Sequence, residues 1–124
     1  MLASLTNVEW AYLAGFIDGE GSIVDRIRPS GKHHPTIAIY QKDEEVLVWV
    51  QEHYGGSIYQ SNGSACLQIT AKANVGEILL GIQPYARVKR QQIRLALLML
   101  EEPSSAGIYG AQIRALQSYS RVRL

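Results

Sequence analysis

The 124-residue chain has a single cysteine, a single phenylalanine and no long apolar run. Cys66 alone excludes an internal disulfide and suits a reducing interior. The longest apolar stretch near the C-terminus, Leu95 to Leu100, is far too short to cross a bilayer, so no membrane is expected. No basic-then-apolar leader with a small-residue cleavage site opens the chain, which leaves secretion unsupported. Disorder is excluded from the other side: 47% of residues are hydrophobic and only 19% charged, as in an ordinary globular protein. The length fits one domain spanning 1–124, with enough chain for a single core.

Net charge is also nearly absent, at +1, but it is unevenly spread. Residues 1–83 hold 5 Lys/Arg against 9 Asp/Glu, a net of −4, whereas residues 84–124 hold 7 against 2, a net of +5. Within the acidic part, Arg26, Arg28, Lys32 and Lys42 gather with His33 and His34. Two basic zones are compatible with phosphate contact.

Thr6-Asn7-Val8-Glu9 has capping-box form, so a helix is expected from there to about Gly19, with Gly21 as a left-handed stop. Ser22 to Ser30 alternates, with Ile23 and Ile27 on one parity, and residues 32 to 41 alternate again with Ile37 and Ile39 inward. Asp43 is expected to cap a second helix that Gly55-Gly56 stops. Asn62-Gly63 then predicts the turn of a second hairpin, Ser57–Ser61 with Ala65–Ala71, because both central residues must accept positive φ. Further helices are expected over about 73–82, 87–100 and 109–121. The order αββαββα plus helices predicts an α+β fold, a four-stranded antiparallel sheet backed on one face by helices.

The first helix carries the most specific feature. On helical spacing Ala11, Ala14, Gly15, Asp18 and Gly19 share one face, almost all of it small. Two interior glycines cost a helix about 2 kcal/mol relative to alanine. Close approach of another helix backbone compensates such a cost, and only one such helix exists in this chain, so a second copy is the expected partner.

Leu13-Ala14-Gly15-Phe16-Ile17-Asp18-Gly19-Glu20-Gly21 resembles the LAGLIDADG signature at six of its nine letters, with Phe16, Gly19 and Glu20 as substitutions. On that match the chain resembles the single-motif, homodimeric LAGLIDADG homing endonucleases, and the likeness extends across roughly residues 6–100. The resemblance implies a site-specific endonuclease, encoded within a mobile intron or intein, in a prokaryotic cytoplasm or an organelle. It implies hydrolysis of both strands of a long, near-palindromic duplex, leaving 3′ overhangs. It implies paired signature helices that set two Glu20 carboxylates side by side, around Mg²⁺ (with Mn²⁺ able to substitute) and with the Gly19 carbonyl as a further ligand. Oxygen ligands suit such hard cations. By the same resemblance Gln41 positions water and Lys89 approaches the scissile phosphate; Asp18 is read as structural, capping the partner helix. No organic cofactor is implied.

Sequence reading is expected from the polar sheet face in the major groove. Its candidates are Ser22, Val24, Arg26, Arg28, Ser30, Lys32, His34, Thr36 and Ala38 on the first hairpin, and Gln60, Asn62, Cys66 and Gln68 on the second. His33 and His34 fall on opposite faces of a strand and do not share a metal. The alternatives are a DNA-binding regulator of this fold that no longer cuts, an RNA-splicing maturase, or a purely structural interaction domain. The first predicts loss of the acidic ligand, which Glu20 opposes; the second calls for a separate basic surface.

Overall fold

The computed structural model describes residues 4–122. Helix α1 (Asn7–Glu20) opens with the expected box: the Glu9 amide donates to Thr6 Oγ1 at 3.2 Å and the Thr6 amide to Glu9 Oε1 at 2.9 Å. The chain continues through β1 (Gly21–Ile27), β2 (His33–Gln41), α2 (Glu44–Tyr54), β3 (Ser57–Ser61), β4 (Ser64–Ile69), α3 (Lys72–Ile82) and α4 (Arg90–Glu101). A short 3₁₀ turn (Pro103–Ser105) leads into α5 (Ala106–Val122). The four strands form one antiparallel sheet in the order β1-β2-β4-β3.

The pairing register assigns every strand residue to a face. Ile23, Ile37, Ile39, Leu67 and Ile69 line the inner face and have no solvent exposure. Against them pack Leu13 and Ile17 of α1, Leu47 and Val50 of α2, Ile78 and Leu79 of α3, Ile93 and Ala96 of α4, and Ile113 of α5. Full burial of each such branched side chain contributes about 1.5–3 kcal/mol. Among the described residues no helix is long and apolar enough to cross a membrane.

Several local expectations are corrected. Gly21 leaves α1 in an extended conformation (φ −111°), not a left-handed one; its lack of a Cβ matters because one would sit 3.0 Å from the Ile17 Cα and carbonyl oxygen. The first hairpin is shorter than its alternation suggests. Pro29 lacks an N–H for the ladder and Gly31 adopts φ +89°, so Arg28 to Lys32 form the turn, closed by the Arg28 amide on the Lys32 carbonyl. Ile27 is 54% exposed, and the buried place on its parity is taken by Asp25. At the other turn Asn62 and Gly63 both have positive φ, as the hairpin requires.

The last expected helix, over about 109–121, is present as α5 and starts three residues earlier. Its glycines at 107 and 110 bring its backbone against β1 and β2: a Cβ on Gly110 would lie 2.4 Å from Asp25 Cγ. The buried Asp25 carboxylate is met by the Arg114 guanidinium and by His33 Nδ1 at 2.9 Å. Gln117 Nε2 donates to the Ile23 carbonyl at 2.6 Å, satisfying an acceptor on β1, an edge strand. Through Gly107, Gly110, Arg114 and Gln117, α5 packs on the sheet as part of the fold.

Candidate nucleic-acid interface and catalytic cleft

The end of α1 and the start of α4 are joined by one carboxylate. Asp18 Oδ2 accepts from the Arg87 amide at 2.7 Å and the Val88 amide at 3.1 Å, and Oδ1 accepts from the Lys89 amide at 3.0 Å. Lys89 is the N-cap of α4 and has no capping side chain of its own, so Asp18 supplies the cap from 71 residues away. Asp18 is structural, as expected, and its carboxylate is engaged within its own chain.

The clamp places Lys89. Its Nζ donates to the Asp18 carbonyl oxygen at 2.7 Å, just before the exposed Glu20 at the helix end. Burial pushes the Lys89 ammonium below the usual lysine range, while the Asp18 and Glu20 carboxylates pull the other way. Lys89 lines a cleft of about 500 Å³ with Gly21, Ser22, Tyr40 and Gln92. Gln92 Oε1 is buried there without a hydrogen-bond partner, the one such side-chain atom among the described residues.

Gln41 does not line this cleft. Its Oε1 accepts from the Lys42 amide at 2.8 Å, and its side chain borders another cavity with Tyr12, Phe16 and Trp49. Among the described residues no group of three or more His, Cys, Asp or Glu gathers to hold a metal, so Glu20 offers one carboxylate per chain.

The outer sheet face carries Ser22, Val24, Arg26, His34, Thr36, Ala38, Tyr40, Cys66 and Gln68 by register. Its middle is closed by its own neighbours: His34, Thr36, Ala38 and Cys66 are each 5% exposed or less, so they shape this face more than they reach from it. Arg28, Ser30 and Lys32 stand on the hairpin turn, beyond the strand ends. Asn62 stands at the other turn. Gln60 pairs with buried Ala65 and so shares the inner parity; it is not on the outer face. The residue that takes its place is Tyr59, which pairs with Cys66 and was missed because the β3 register is not readable from β3 alone.

Tyr40 and Tyr59, both more than 40% exposed, flank Cys66 across the strands. Burial and the Cys66 thiol push the Tyr40 phenol up; a hydrogen bond with Cys66 does the same for Tyr59. Both stay protonated at neutral pH and offer an O–H above an aromatic body. Burial, then Arg28, Arg26 and Lys72, hold His34 below the ordinary histidine range. In that neutral state its Nδ1 accepts from Arg28 Nε at 3.3 Å. His33 faces Asp25 on the opposite side, as the alternation requires.

On α1, Val8, Ala11, Tyr12, Gly15 and Gly19 form an exposed strip. A Cβ at Gly15 or Gly19 would meet nothing within 4 Å, so the chain's own packing does not demand either glycine. Ala14 is no part of this strip: it is wholly buried in the chain's own core, because it lies beside Leu13 and Ile17 on the sheet side.

This arrangement of one four-stranded sheet backed by helices matches known structures. The homing endonuclease I-CvuI, solved in complex with its target in the presence of 2 mM Ca, superposes with a TM-score of 0.79 over 89% of this chain and 82% of that one, at 20% identity. The chain has the LAGLIDADG homing-endonuclease fold. A second protein of that fold, I-GzeII solved in complex with a DNA target, gives a TM-score of 0.64 at 20% identity, over 89% of this chain but 41% of the other. In sequence the chain is 28% identical, over 104 residues, to the DNA endonuclease I-CreI of Chlamydomonas reinhardtii, covering 77% of this chain. It spans 64% of that relative's length. No family model matches the chain. In this LAGLIDADG fold the signature residues Leu13, Ala14 and Ile17 serve the core, Asp18 the α4 clamp, and Gly15, Gly19 and Glu20 remain exposed.

Proposed function

We propose that the chain is a site-specific DNA endonuclease that works as a homodimer with a divalent cation. The observation that carries this reading is the exposed strip of α1, small at Ala11, Gly15 and Gly19, running into exposed Glu20 beside the clamped Lys89. Pairing two copies along that strip brings the two helix ends together on a dyad and sets one Glu20 from each chain at its centre. Two glycines that the monomer does not need then have a use, as does a carboxylate left in solvent. I-GzeII, whose chain is more than twice the length of this fold, has room for two such units.

The donor set fits a hard cation. Glu20 and the Gly19 backbone carbonyl offer oxygen ligands, with no thiolate or imidazole beside them, which suits Mg²⁺ better than zinc or copper. One carboxylate is too few for a closed site, so a second copy and the substrate phosphates complete the coordination. Bound there, the cation would stabilise charge on the attacked phosphate and on the leaving oxygen.

The chain's own residues do the rest. Lys89 holds its ammonium near Glu20 through the Asp18 carbonyl, where it offsets charge developing on the phosphate. Burial pulls the Lys89 ammonium below its ordinary range, and Asp18 and then Glu20 oppose that pull. Arg26, Tyr40, Tyr59 and Gln68 offer donors and acceptors along the outer face, which follows the major groove of a near-palindromic duplex. Cleavage of both strands with 3′ overhangs follows from two such sites facing each other across the minor groove. Gln41 reaches this site only if its side chain leaves the Lys42 amide.

Glu20→Gln tests the proposal with one change of charge. A duplex bound and cut by the wild type in Mg²⁺ is first selected from a random library. The variant should bind that duplex in Ca²⁺ or chelator as well as the wild type, since a carboxylate near phosphates is removed. Its nicking rate in Mg²⁺ should fall on the order of 100-fold or more. A variant that binds and cuts at the wild-type rate removes Glu20 from the reaction. A wild type that binds duplexes but cuts none selects the non-cutting regulator instead.

A further inference from the structure

A second cleft, of about 610 Å³, opens at the far end of the sheet between the β1–β2 turn and the turn joining α4 to α5. Its lining includes Arg28, Lys32, His33, His34, Lys72 and Ser104, and no carboxylate. Asp25, which faces His33, is buried and already engaged by Arg114. Lys72 is the first residue of α3, an 11-residue helix whose N-cap Ala71 has no side-chain acceptor, so the start of that helix adds further positive potential. His34 is held with one ring nitrogen accepting from Arg28, which leaves the N–H on the other. Burial first, then Arg28, Arg26 and Lys72, lower its basicity, and Asp25 opposes them, so three cations act on this one ring.

We infer that this cleft is a phosphate site. Arg28 from the β1–β2 turn and Lys72 from the start of α3 bring the charge, His34 and Ser104 contribute neutral hydrogen bonds, and Asp25 holds His33 in place. The inference rests on the proposed function for its natural ligand, a backbone phosphate of the bound duplex. The strand from Gly21 to Ile27 covers about 20 Å, so the cleft would grip the duplex roughly six base pairs outward from Glu20. Such a contact anchors the outer end of each half-site without reading its sequence.

The test uses two probes. Affinity for an unrelated duplex is measured from 50 to 200 mM salt for wild type, Lys72→Gln and Lys72→Arg, and amide spectra are followed as inorganic phosphate is added. Lys72→Gln should weaken binding to any duplex and lower the slope of log K against log salt by about 1.8, about 0.9 for each of the dimer's two clefts, so that its loss over this salt range is about 12-fold smaller than the wild type's. Lys72→Arg should restore the slope. Phosphate should shift the Gly31 and Gly107 amides of wild type and not of Lys72→Gln. If duplex binding is strong and Lys72→Gln leaves affinity and slope unchanged, the phosphate site is overturned while the endonuclease reading stands. If no duplex binds but phosphate still shifts those amides through Lys72, the site stands with a free phosphate as its ligand, and the endonuclease reading fails. If neither probe responds, the site is overturned.

Discussion

Asp18→Asn should be among the most damaging substitutions of similar size in the chain. The change keeps the shape of the side chain and removes its charge. Three backbone amides now point at the carboxylate, two at Oδ2 and one at Oδ1. An asparagine can turn its oxygen toward Arg87 and Val88 or toward Lys89, but whichever it chooses, its NH₂ then faces an amide N–H. At least one bond is replaced by a donor–donor contact, and the others lose their charge assistance. A hydrogen bond to a charged group is worth about 1.5–3 kcal/mol, but this site is partly open to water, which re-solvates part of what is lost. The expected destabilisation is therefore about 2–3 kcal/mol, with Asp18→Ala similar or worse. Urea unfolding at one fixed protein concentration measures it as a fall in midpoint with an unchanged m value. Because the clamp also places Lys89, cutting should fall even where the variant is folded, with duplex binding less affected. A loss below about 0.5 kcal/mol would refute the capping argument, since that is the range of an ordinary surface change.

Gly15→Leu fills space that is empty in the single chain, so the fold should survive while the paired form is lost; a variant that still sediments as a dimer at micromolar concentration removes α1 from the interface. Gly110→Ala puts a methyl group 2.4 Å from Asp25 Cγ, and the helix must shift away from the buried ion pair, costing about 1–3 kcal/mol in urea unfolding. Unchanged stability there would mean that α5 does not lie on Asp25.

Much of the architecture could be read locally. The box at Thr6–Glu9, the Asp43 cap, the positive-φ pair Asn62-Gly63 and the period-two runs through Ile37 and Ile39 each depend on neighbours within a few residues. Those rules name the elements and the sheet, and the nine residues from Leu13 to Gly21 point to the fold family. They also place Glu20 at a helix end in solvent. Long-range pairings were invisible to them. That Asp18 caps α4 depends on a carboxylate meeting amides 69 to 71 residues later, and nothing in either segment announces the other. Ala14 and Gly15 are both small on a helix surface, yet the sheet decides that one is core and the other exposed. Gln60 and Tyr59 exchange faces with the register of β3 on β4, and a one-residue difference in register inverts every side chain. Asp25 breaks the apolar alternation of β1 because its partners, His33 and Arg114, are 8 and 89 residues away. Sequence alone thus determined the elements, whose hydrogen bonds close within a turn or a hairpin. Tertiary structure decided which small, polar and charged side chains are buried, because their cost is met only by groups that folding brings from elsewhere in the chain.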